Sequence, residues 1–191
     1  MTKKQKIEHT AKELFLKHGF KKVTIDEICK KAHVSRKTYY TIYENKNALV
    51  IYIINGIANE NIQKFRNIIE GSGSFADKMQ QSLEWKYEFS KTITMEFVAD
   101  VFDPGSSDIL EYWKTAMQES MVLLMSFLKE GQRTGEMNSE LNLNYVLWVF
   151  GKMSEIINSP EAMAMFESAE DLVKQVTATL IYGIMPEKAK S

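Results

Sequence analysis

Residues 24–43, TIDEICKKAHVSRKTYYTIY, determine how the amino-terminal part of this chain folds. Thr24 and Glu27 have the spacing of a capping box, in which each side chain accepts a hydrogen bond from the other residue's backbone N–H at the start of a helix. This predicted helix ends at a turn, residues 33–35, whose last residue is a serine that can cap a second short helix over residues 36–42. The sequence therefore predicts two short helices joined by a tight turn.

Another helix precedes this pair, and a long helix follows it. Apolar residues three and four apart mark the inner face of the first helix, which ends at Gly19. Asn45 is placed to cap the long helix, which would run for about 35 Å to Gly71 at 1.5 Å per residue. Further helices are expected over 75–90, 92–102, 107–133, 142–158 and 168–184. The predicted fold class is all-α with about nine helices, divided into a three-helix head over residues 1–47 and a helical bundle over residues 48–191.

The charge of the chain is polarised along the sequence. The formal net charge of −1 hides two unlike parts, because residues 1–50 hold twelve Lys and Arg against five Asp and Glu, a balance of +7. Residues 51–191 hold twelve against twenty, a balance of −8. A basic head favours binding to a polyanion, and an acidic body is repelled by it. A lysine-rich face that is merely solvated is the alternative that charge alone leaves open.

Two capped helices joined by a tight turn in a basic segment are typical of a helix-turn-helix unit, which places its second helix in the major groove of DNA. The exposed residues of that helix suit the groove. Arg36 and Lys37 can reach guanine or phosphate, and Thr38 and Thr41 can meet a base edge or a thymine methyl group. Lys46 lies in the first turn of the next helix, where a bound phosphate would offset the unfavourable helix dipole. A solvated lysine is the alternative at that position.

These residues resemble the amino-terminal domain of the tetracycline-repressor (TetR/AcrR) family of regulators. The resemblance covers about residues 5–50 and rests on Ala11-x-x-Leu14-Phe15, Gly19-Phe20, Thr24-Ile25-x-x-Ile28, Ala32-x-Val34-Ser35, Thr38-Tyr39-Tyr40-x-x-Tyr43 and Lys46-x-x-Leu49. It implies that Tyr40 and Lys46 hold phosphates, whereas Tyr39 and Tyr43 pack inward. It also implies a homodimer paired through the eighth and ninth helices, with an inducer pocket between the fourth and eighth helices.

The groove argument and the resemblance together give one set of predicted DNA-binding residues: Thr24, Ser35, Arg36, Lys37, Thr38, Tyr40, Thr41 and Lys46. Two positions depart from the family's usual pattern. His33 stands where such turns generally have glycine, and a left-handed residue there costs on the order of 1 kcal/mol. Lys37 replaces another frequent glycine and adds a charge, so a relative's operator cannot be assumed for this chain.

Methionines and aromatic residues in the body predict an adaptable apolar pocket. On the helix over 107–133, such a residue recurs at every fourth position from Trp113 to Met125. The predicted ligand-binding residues are Trp85, Phe89, Met95, Trp113, Met117 and Met121, for a small apolar or amphipathic ligand. Ordinary core packing is the alternative for each of them. Three acidic residues either add negative charge for a cationic ligand or are simply solvated: Glu88, Glu96 and Asp100.

Apolar stripes on the last two predicted helices are longer than a monomer could easily hide, and they predict a dimer interface. Its predicted residues are Leu143, Val146, Leu147, Phe150, Ser154, Leu172, Val176, Thr179 and Leu180. A helix-turn-helix protein also needs two heads about one DNA turn apart, which a homodimer supplies.

Cysteine use and hydropathy favour a soluble cytoplasmic protein without cofactors. The single cysteine, Cys29, cannot form an internal disulfide, and no Cys/His cluster suggests a metal. No apolar run approaches the roughly 20 residues of a membrane span, and no signal peptide is expected.

The sequence therefore favours a DNA-binding transcriptional regulator that represses from a palindromic operator and is released by a small molecule. An activator, or a regulator controlled by a partner without a small ligand, remains open. An all-helical enzyme is disfavoured because the sequence offers no nucleophile-base pair and no metal-ligand spacing. A purely structural helical dimer would leave the basic, capped head unexplained.

Overall fold

The computed structural model describes residues 1–157, 160–167 and 169–184, and every regular element in these residues is helical. The helices are α1 (Lys3–His18), α2 (Ile25–Ala32), α3 (Arg36–Tyr40), α4 (Lys46–Glu70), α5 (Phe75–Ser90), α6 (Met95–Phe102), α7 (Ser107–Thr134), α8 (Leu143–Ile157), α9 (Pro160–Met163) and α10 (Ala169–Ile184), with a 3₁₀ turn at Pro104–Ser106. The all-α prediction is confirmed. No helix in the described part of the chain is both long and apolar enough to cross a membrane.

The start of α6 shows where tertiary contacts override a predicted boundary. α6 begins at Met95, three residues later than predicted, because Thr94 is extended and bound to α1. The backbone N–H and the hydroxyl of Thr94 both donate to the carbonyl oxygen of Leu16, at 3.1 and 2.9 Å. These two hydrogen bonds attach the beginning of α6 to the end of α1.

The chain packs as two compact units. Unit 1 comprises residues 1–63 and 88–119, and unit 2 comprises residues 64–87 and the described residues from 120 onward. α4, α5 and α7 each contribute residues to both units. The division predicted at residue 47, into a head and a helical bundle, has other bounds than these packing units and remains a prediction.

The core of unit 1 joins the short amino-terminal helices to α6. Phe15, Ile28 and Leu49 are fully buried in it, and burial of each such side chain contributes about 1.5–3 kcal/mol. Phe97 of α6 meets the ring of Phe20 edge-on, with the ring centroids 6.1 Å apart. α6 therefore belongs to the same hydrophobic core as α1 to α3.

The core of unit 2 contains an aromatic stack for which α7 makes room. The rings of Phe75 and Phe127 are stacked, with centroids 4.6 Å apart. A Cβ atom added to Gly131 of α7 would lie 2.6 Å from the Phe75 ring, so only glycine fits there without displacement. Glu136 then caps the start of α5, because its Oε1 accepts the backbone N–H of Phe75 at 2.8 Å.

Gly131→Ala should destabilise the protein, because the added methyl group overlaps the ring of Phe75. We expect the free energy of unfolding to fall by about 1–3 kcal/mol, the usual cost of overpacking a core. Urea denaturation at fixed protein concentration measures the change. Gly56→Ala, within α4, is the matched control, since nothing lies within 4 Å of its added Cβ and alanine favours a helix by up to about 1 kcal/mol. Equal stabilities of the two variants would contradict this packing.

Candidate nucleic-acid interface

The start of α2 is fixed by the predicted capping box. The hydroxyl oxygen of Thr24 accepts the backbone N–H of Glu27 at 3.2 Å, and Oε2 of Glu27 accepts the backbone N–H of Thr24 at 2.8 Å. The backbone hydrogen bond, followed by the one from the Thr24 hydroxyl, lowers the pKa of the Glu27 carboxyl group. The amino-terminal end of α2 is therefore set by two residues that are three positions apart.

The turn between α2 and α3 has the geometry that the sequence predicted for His33. His33 is left-handed, with φ 54° and ψ 47°, and no other non-glycine residue in the described ranges has a positive φ. The backbone N–H of Val34 donates to the carbonyl of Cys29 at 3.0 Å, and that of His33 donates to the carbonyl of Lys30 at 3.3 Å. This is a Schellman motif, which satisfies the last carbonyls of α2.

α3 is held in place by a cap and by one buried aromatic ring. The hydroxyl oxygen of Ser35 accepts the backbone N–H of Thr38 at 3.1 Å. Tyr39 is fully buried, and its hydroxyl donates to the carbonyl of Asn45 at 3.4 Å. Burial raises the pKa of Tyr39 to about 12. The inward position of Tyr39 fixes which residues of α3 face away from the core.

Most of the residues predicted to read bases lie on the outer side of α3. Arg36, Lys37 and Thr41 are exposed, and Thr38 is half-buried. The hydroxyl of Thr41 donates to the carbonyl of Thr38 at 2.7 Å, so its hydrogen is already committed. Lys37 forms no ion pair with any residue in the described part of the chain.

Arg36 has partners on both sides of the turn. Its Nε lies 3.3 Å from Oδ1 of Asp26 in α2. A hydrogen bond with the side chain of Tyr40, and then the charge of Asp26, raise the pKa of the Arg36 guanidinium. Tyr40 itself is exposed, with its ring edge-on to that of Tyr39. Arg36 and Tyr40 therefore present a linked pair of hydrogen-bonding groups to solvent.

Tyr43 connects the residues after α3 to α1. It is buried, and its hydroxyl donates to Oε1 of Glu8 at 2.5 Å. Burial and then this hydrogen bond raise the pKa of Tyr43. The inward packing of Tyr39 and Tyr43 that the resemblance implies is confirmed.

Lys46 has partners that the sequence did not predict. Its Nζ donates to the backbone carbonyls of Phe20, Lys21 and Val23, at 2.9, 3.2 and 3.1 Å. An ammonium group has three hydrogens, so all of them are used. Partial burial lowers the pKa of Lys46. Because a phosphate would compete with these carbonyls, the predicted phosphate contact of Lys46 remains a prediction.

The loop that Lys46 binds is also bound by α6. Asp100 of α6 accepts the backbone N–H of Lys21 at 2.7 Å, and the ammonium of Lys21 pairs with Asp103. Gly19 has φ 74°, and a Cβ atom there would lie 2.5 Å from Oδ2 of Asp100. Asp100 is therefore a structural partner of the α1–α2 loop, in a role that its sequence neighbours do not signal.

The predicted ligand-binding residues are distributed over both units. Phe89 and Trp113 are half-buried against the core of unit 1, and Trp85 is half-buried against the core of unit 2. Met117 and Met121 are exposed. The side chain of Met95 is outside the described part of the structure. Phe89 and Trp113 thus share one core, and the ligand site as a whole remains a prediction.

The predicted dimer residues lie largely on the inner faces of α8 and α10. Two are buried within the chain: Val146 and Leu172. Five are half-buried: Leu143, Leu147, Phe150, Val176 and Leu180. Thr179 is exposed, and the side chain of Ser154 is outside the described part. Among the described side chains of these two helices, the large exposed apolar ones are others: Tyr145, Trp148, Ile156 and Tyr182.

Comparisons with known proteins agree with this geometry. The profile of the family described as "Bacterial regulatory proteins, tetR family" matches residues 7–53. The uncharacterized HTH-type transcriptional regulator YhgD of Bacillus subtilis (strain 168) is 26% identical over 135 residues, which are 70% of this chain and 71% of YhgD.

Solved structures show the same fold over nearly the whole chain. A TetR-family transcriptional regulator from Agrobacterium tumefaciens has a TM-score of 0.75 at 12% identity, covering 96% of this chain and 98% of its own. The transcriptional regulator FadR from Bacillus subtilis, solved in complex with stearoyl-CoA, has a TM-score of 0.73 at 17% identity, covering 95% and 99%.

A capped helix-turn-helix with a basic outer face, carried on a helical body, defines the class of DNA-binding transcriptional regulators. Within that class, the match over residues 7–53 and the regulators that are similar in sequence support a TetR-family transcriptional regulator. The sequence-based assignment to this family is confirmed.

Lys46→Met should destabilise unit 1, because three carbonyls of the α1–α2 loop lose their donor. We expect a loss of about 1–3 kcal/mol, the cost of leaving partly buried polar groups unpaired. Thermal and urea denaturation measure the change without DNA. Lys37→Met is the control, since this lysine is exposed and unpaired within the described residues; its stability should change by less than about 0.5 kcal/mol. If both variants were equally stable, the role of Lys46 in the loop would be disproved.

Proposed function

We propose that this regulator is a repressor that binds a palindromic operator as a homodimer and is released by a small molecule. One observation carries the proposal for DNA: because Tyr39 is buried, the exposed polar side chains of α3 face away from the core. These side chains belong to residues 1–50, whose net charge is +7. A short helix with such a face fits the major groove. Because the target is the chromosome, the proposed place of action is the cytoplasm.

The side chains of α3 divide into base readers and phosphate contacts. Lys37 is the strongest candidate for a base contact, because it is exposed and has no competing ion pair in the described residues. To bind guanine or phosphate, Arg36 must break its ion pair with Asp26. Two charge-assisted hydrogen bonds to guanine can offset the loss of that pair. Tyr40 and the hydroxyls of Thr24 and Ser35 suit phosphates, which fix the register.

We place the dimer interface on the outer faces of α8 and α10. Tyr145 and Trp148 are stacked, with ring centroids 6.0 Å apart, and both are well exposed. Tyr182 of α10 is exposed as well. Large aromatic side chains on a surface are typical of subunit interfaces. The dimer residues predicted from the sequence lie largely on the inner faces of these helices, and they would then support the interface from within the subunit.

Release by a ligand requires a structural connection between the helical body and the three-helix head that binds DNA. The loop over residues 19–23 supplies it, because Asp100 of α6 and Lys46 of α4 bind the same loop. A ligand that favours one position of α6 would shift the population of head orientations. The stearoyl-CoA bound to the FadR neighbour supports a ligand-responsive body for this fold.

Two other functions are weaker. An activator, or a regulator controlled by a protein partner, would use the same head and differ in the response to ligand. An all-helical enzyme has less support, because the relatives matched by sequence are transcriptional regulators. The described residues also contain no cluster of three or more His, Cys, Asp or Glu that could hold a metal.

Substitutions on α3 should separate base readers from phosphate contacts. Lys37→Ala should lower the ratio of affinities for a selected operator and a random duplex by about 5- to 150-fold, the value of 1–3 kcal/mol of base discrimination. Tyr40→Phe should weaken binding to both duplexes alike, by a few-fold for one hydrogen bond. Fluorescence anisotropy at several salt concentrations measures both. Lys129→Ala on α7 is the control, and equal losses on both duplexes for Lys37→Ala would remove this lysine from the base readers.

Trp148→Glu should convert the dimer into a monomer, because it places a charge in an apolar interface. Sedimentation equilibrium of the free protein measures the mass. Phe102→Glu is the matched control: this aromatic residue of α6 is equally exposed but lies in unit 1, and its variant should remain dimeric. A dimeric Trp148→Glu protein would move the interface to another surface.

A further inference from the structure

An acidic side chain lies beside the predicted base readers of α3. Nε of Arg36 is 3.3 Å from Oδ1 of Asp26, and Nη1 of Arg36 donates to Oδ2 of Asp26 at 3.4 Å. Asp26 belongs to α2, so this ion pair joins the two helices across the turn. The two side chains are also well exposed, by 65% for Asp26 and 62% for Arg36. A carboxylate is therefore open to solvent while it contacts a residue that we assign to DNA.

The fold of the head gives little reason for a carboxylate at this position. The start of α2 is already capped by Thr24 and Glu27. An ion pair between side chains as exposed as these contributes little to stability, and an acidic residue in the first turn of a helix adds only a small interaction with the helix dipole. Because the ion pair is weak, binding of DNA can open it.

The charge of Asp26 is unfavourable for binding a polyanion. A carboxylate in the basic head is repelled by the phosphates of any duplex. Of the five acidic residues in residues 1–50, all of which the structure describes, Asp26 is the one that pairs with a side chain of α3. A head that recognised only charge would bind DNA better with a neutral residue at position 26. Three of the other acidic side chains are held elsewhere: Glu8 by Tyr43, Glu13 by Lys31 and Glu27 by Thr24.

Contact of Arg36 with a base leaves the carboxylate of Asp26 in need of a hydrogen-bond donor, because an ionised carboxylate only accepts hydrogen bonds. The base edges of the major groove offer donors at N4 of cytosine and N6 of adenine, whereas guanine and thymine present acceptors there. Adenine also carries the acceptor N7 next to its amino group, so cytosine suits a carboxylate better. Opposite a base without a donor, the carboxylate loses its ion pair and gains no partner, which is costly.

We infer that Asp26 is a specificity-determining residue, whose carboxylate accepts a hydrogen bond from the N4 amino group of a cytosine in the operator. Because Arg36 and Asp26 are in contact in the free protein, this cytosine lies in the base pair that Arg36 reads or in the neighbouring one, about 3.4 Å away along the duplex axis. On matching DNA alone, the ion pair is exchanged for two base contacts. The inference rests on the proposed placement of α3 in the major groove, and it adds a residue of α2 to the base readers.

Selection of bound sequences from a pool of random duplexes tests the inference with the full-length protein. We expect the parent protein to enrich cytosine at one position of each half-site, and Asp26→Ala to lose that enrichment while the other positions remain. Glu13→Ala is the matched control, because it removes the same charge from another exposed ion pair of the head, one that does not involve α3. Its selected sites should match those of the parent, and thermal denaturation checks that both variants are folded. Identical site preferences for Asp26→Ala and the parent would overturn the inference.

A modified operator assigns the preference to the amino group itself. Replacing the selected cytosine by 2-pyrimidinone removes its amino group, and fluorescence anisotropy measures the affinity for each duplex. The parent protein should lose about 5- to 150-fold in affinity, as expected for one base contact. Asp26→Ala should change by no more than about 2-fold, since its missing carboxylate has nothing to lose. Equal losses for the two proteins would show that the amino group acts without Asp26 and would overturn the inference.

The failure of this inference and the failure of the proposed function give different results. A selected operator that Asp26→Ala prefers as strongly as the parent does would refute the role of Asp26 and leave the proposed repressor standing. A parent protein that selected no sequence at all would refute operator binding, and with it the inference.

Discussion

The reading of DNA depends on one packing constraint, which is the burial of Tyr39. α3 has five residues, far fewer than the roughly 12–15 that an isolated helix needs to be even marginally stable in water. The Ser35 cap supplies one hydrogen bond, and the remaining stability must come from the core around Phe15, Ile28 and Leu49. Tyr39 is the only residue of α3 that is buried there, so its ring determines both that the helix exists and which side of it faces away from the core.

The loop over residues 19–23 is bound by both α4 and α6, and we propose that it links a ligand's signal to the head. The ammonium of Lys46 and the carboxylate of Asp100 bind opposite groups of the loop backbone, its carbonyls and one of its N–H groups. A small movement of α6 therefore changes a hydrogen-bond network that also holds the first turn of α4. Coupling between two sites is typically worth 1–3 kcal/mol, which is about the strength of one or two charge-assisted hydrogen bonds. The proposed coupling of ligand and DNA through this loop therefore needs no large rearrangement.

Local sequence patterns made the helices of the head predictable. Hydrogen bonds between residues far apart in the sequence could not be predicted. The bonds of Thr24 with Glu27 and of Ser35 with Thr38 join residues three positions apart, so capping rules find them directly. Lys46 binds carbonyls 23 to 26 positions away, and Asp100 binds a backbone N–H 79 positions away. Backbone N–H and carbonyl groups occur at nearly every residue, so no residue type in the sequence marks them as partners. For this reason the sequence suggested a phosphate for Lys46, and solvent or a ligand for Asp100.

The body was harder to predict because helical periodicity gives the faces of a helix but does not say which face is inside. α8 carries Val146 on its inner face, and Tyr145 and Trp148 exposed outside, and both faces are apolar.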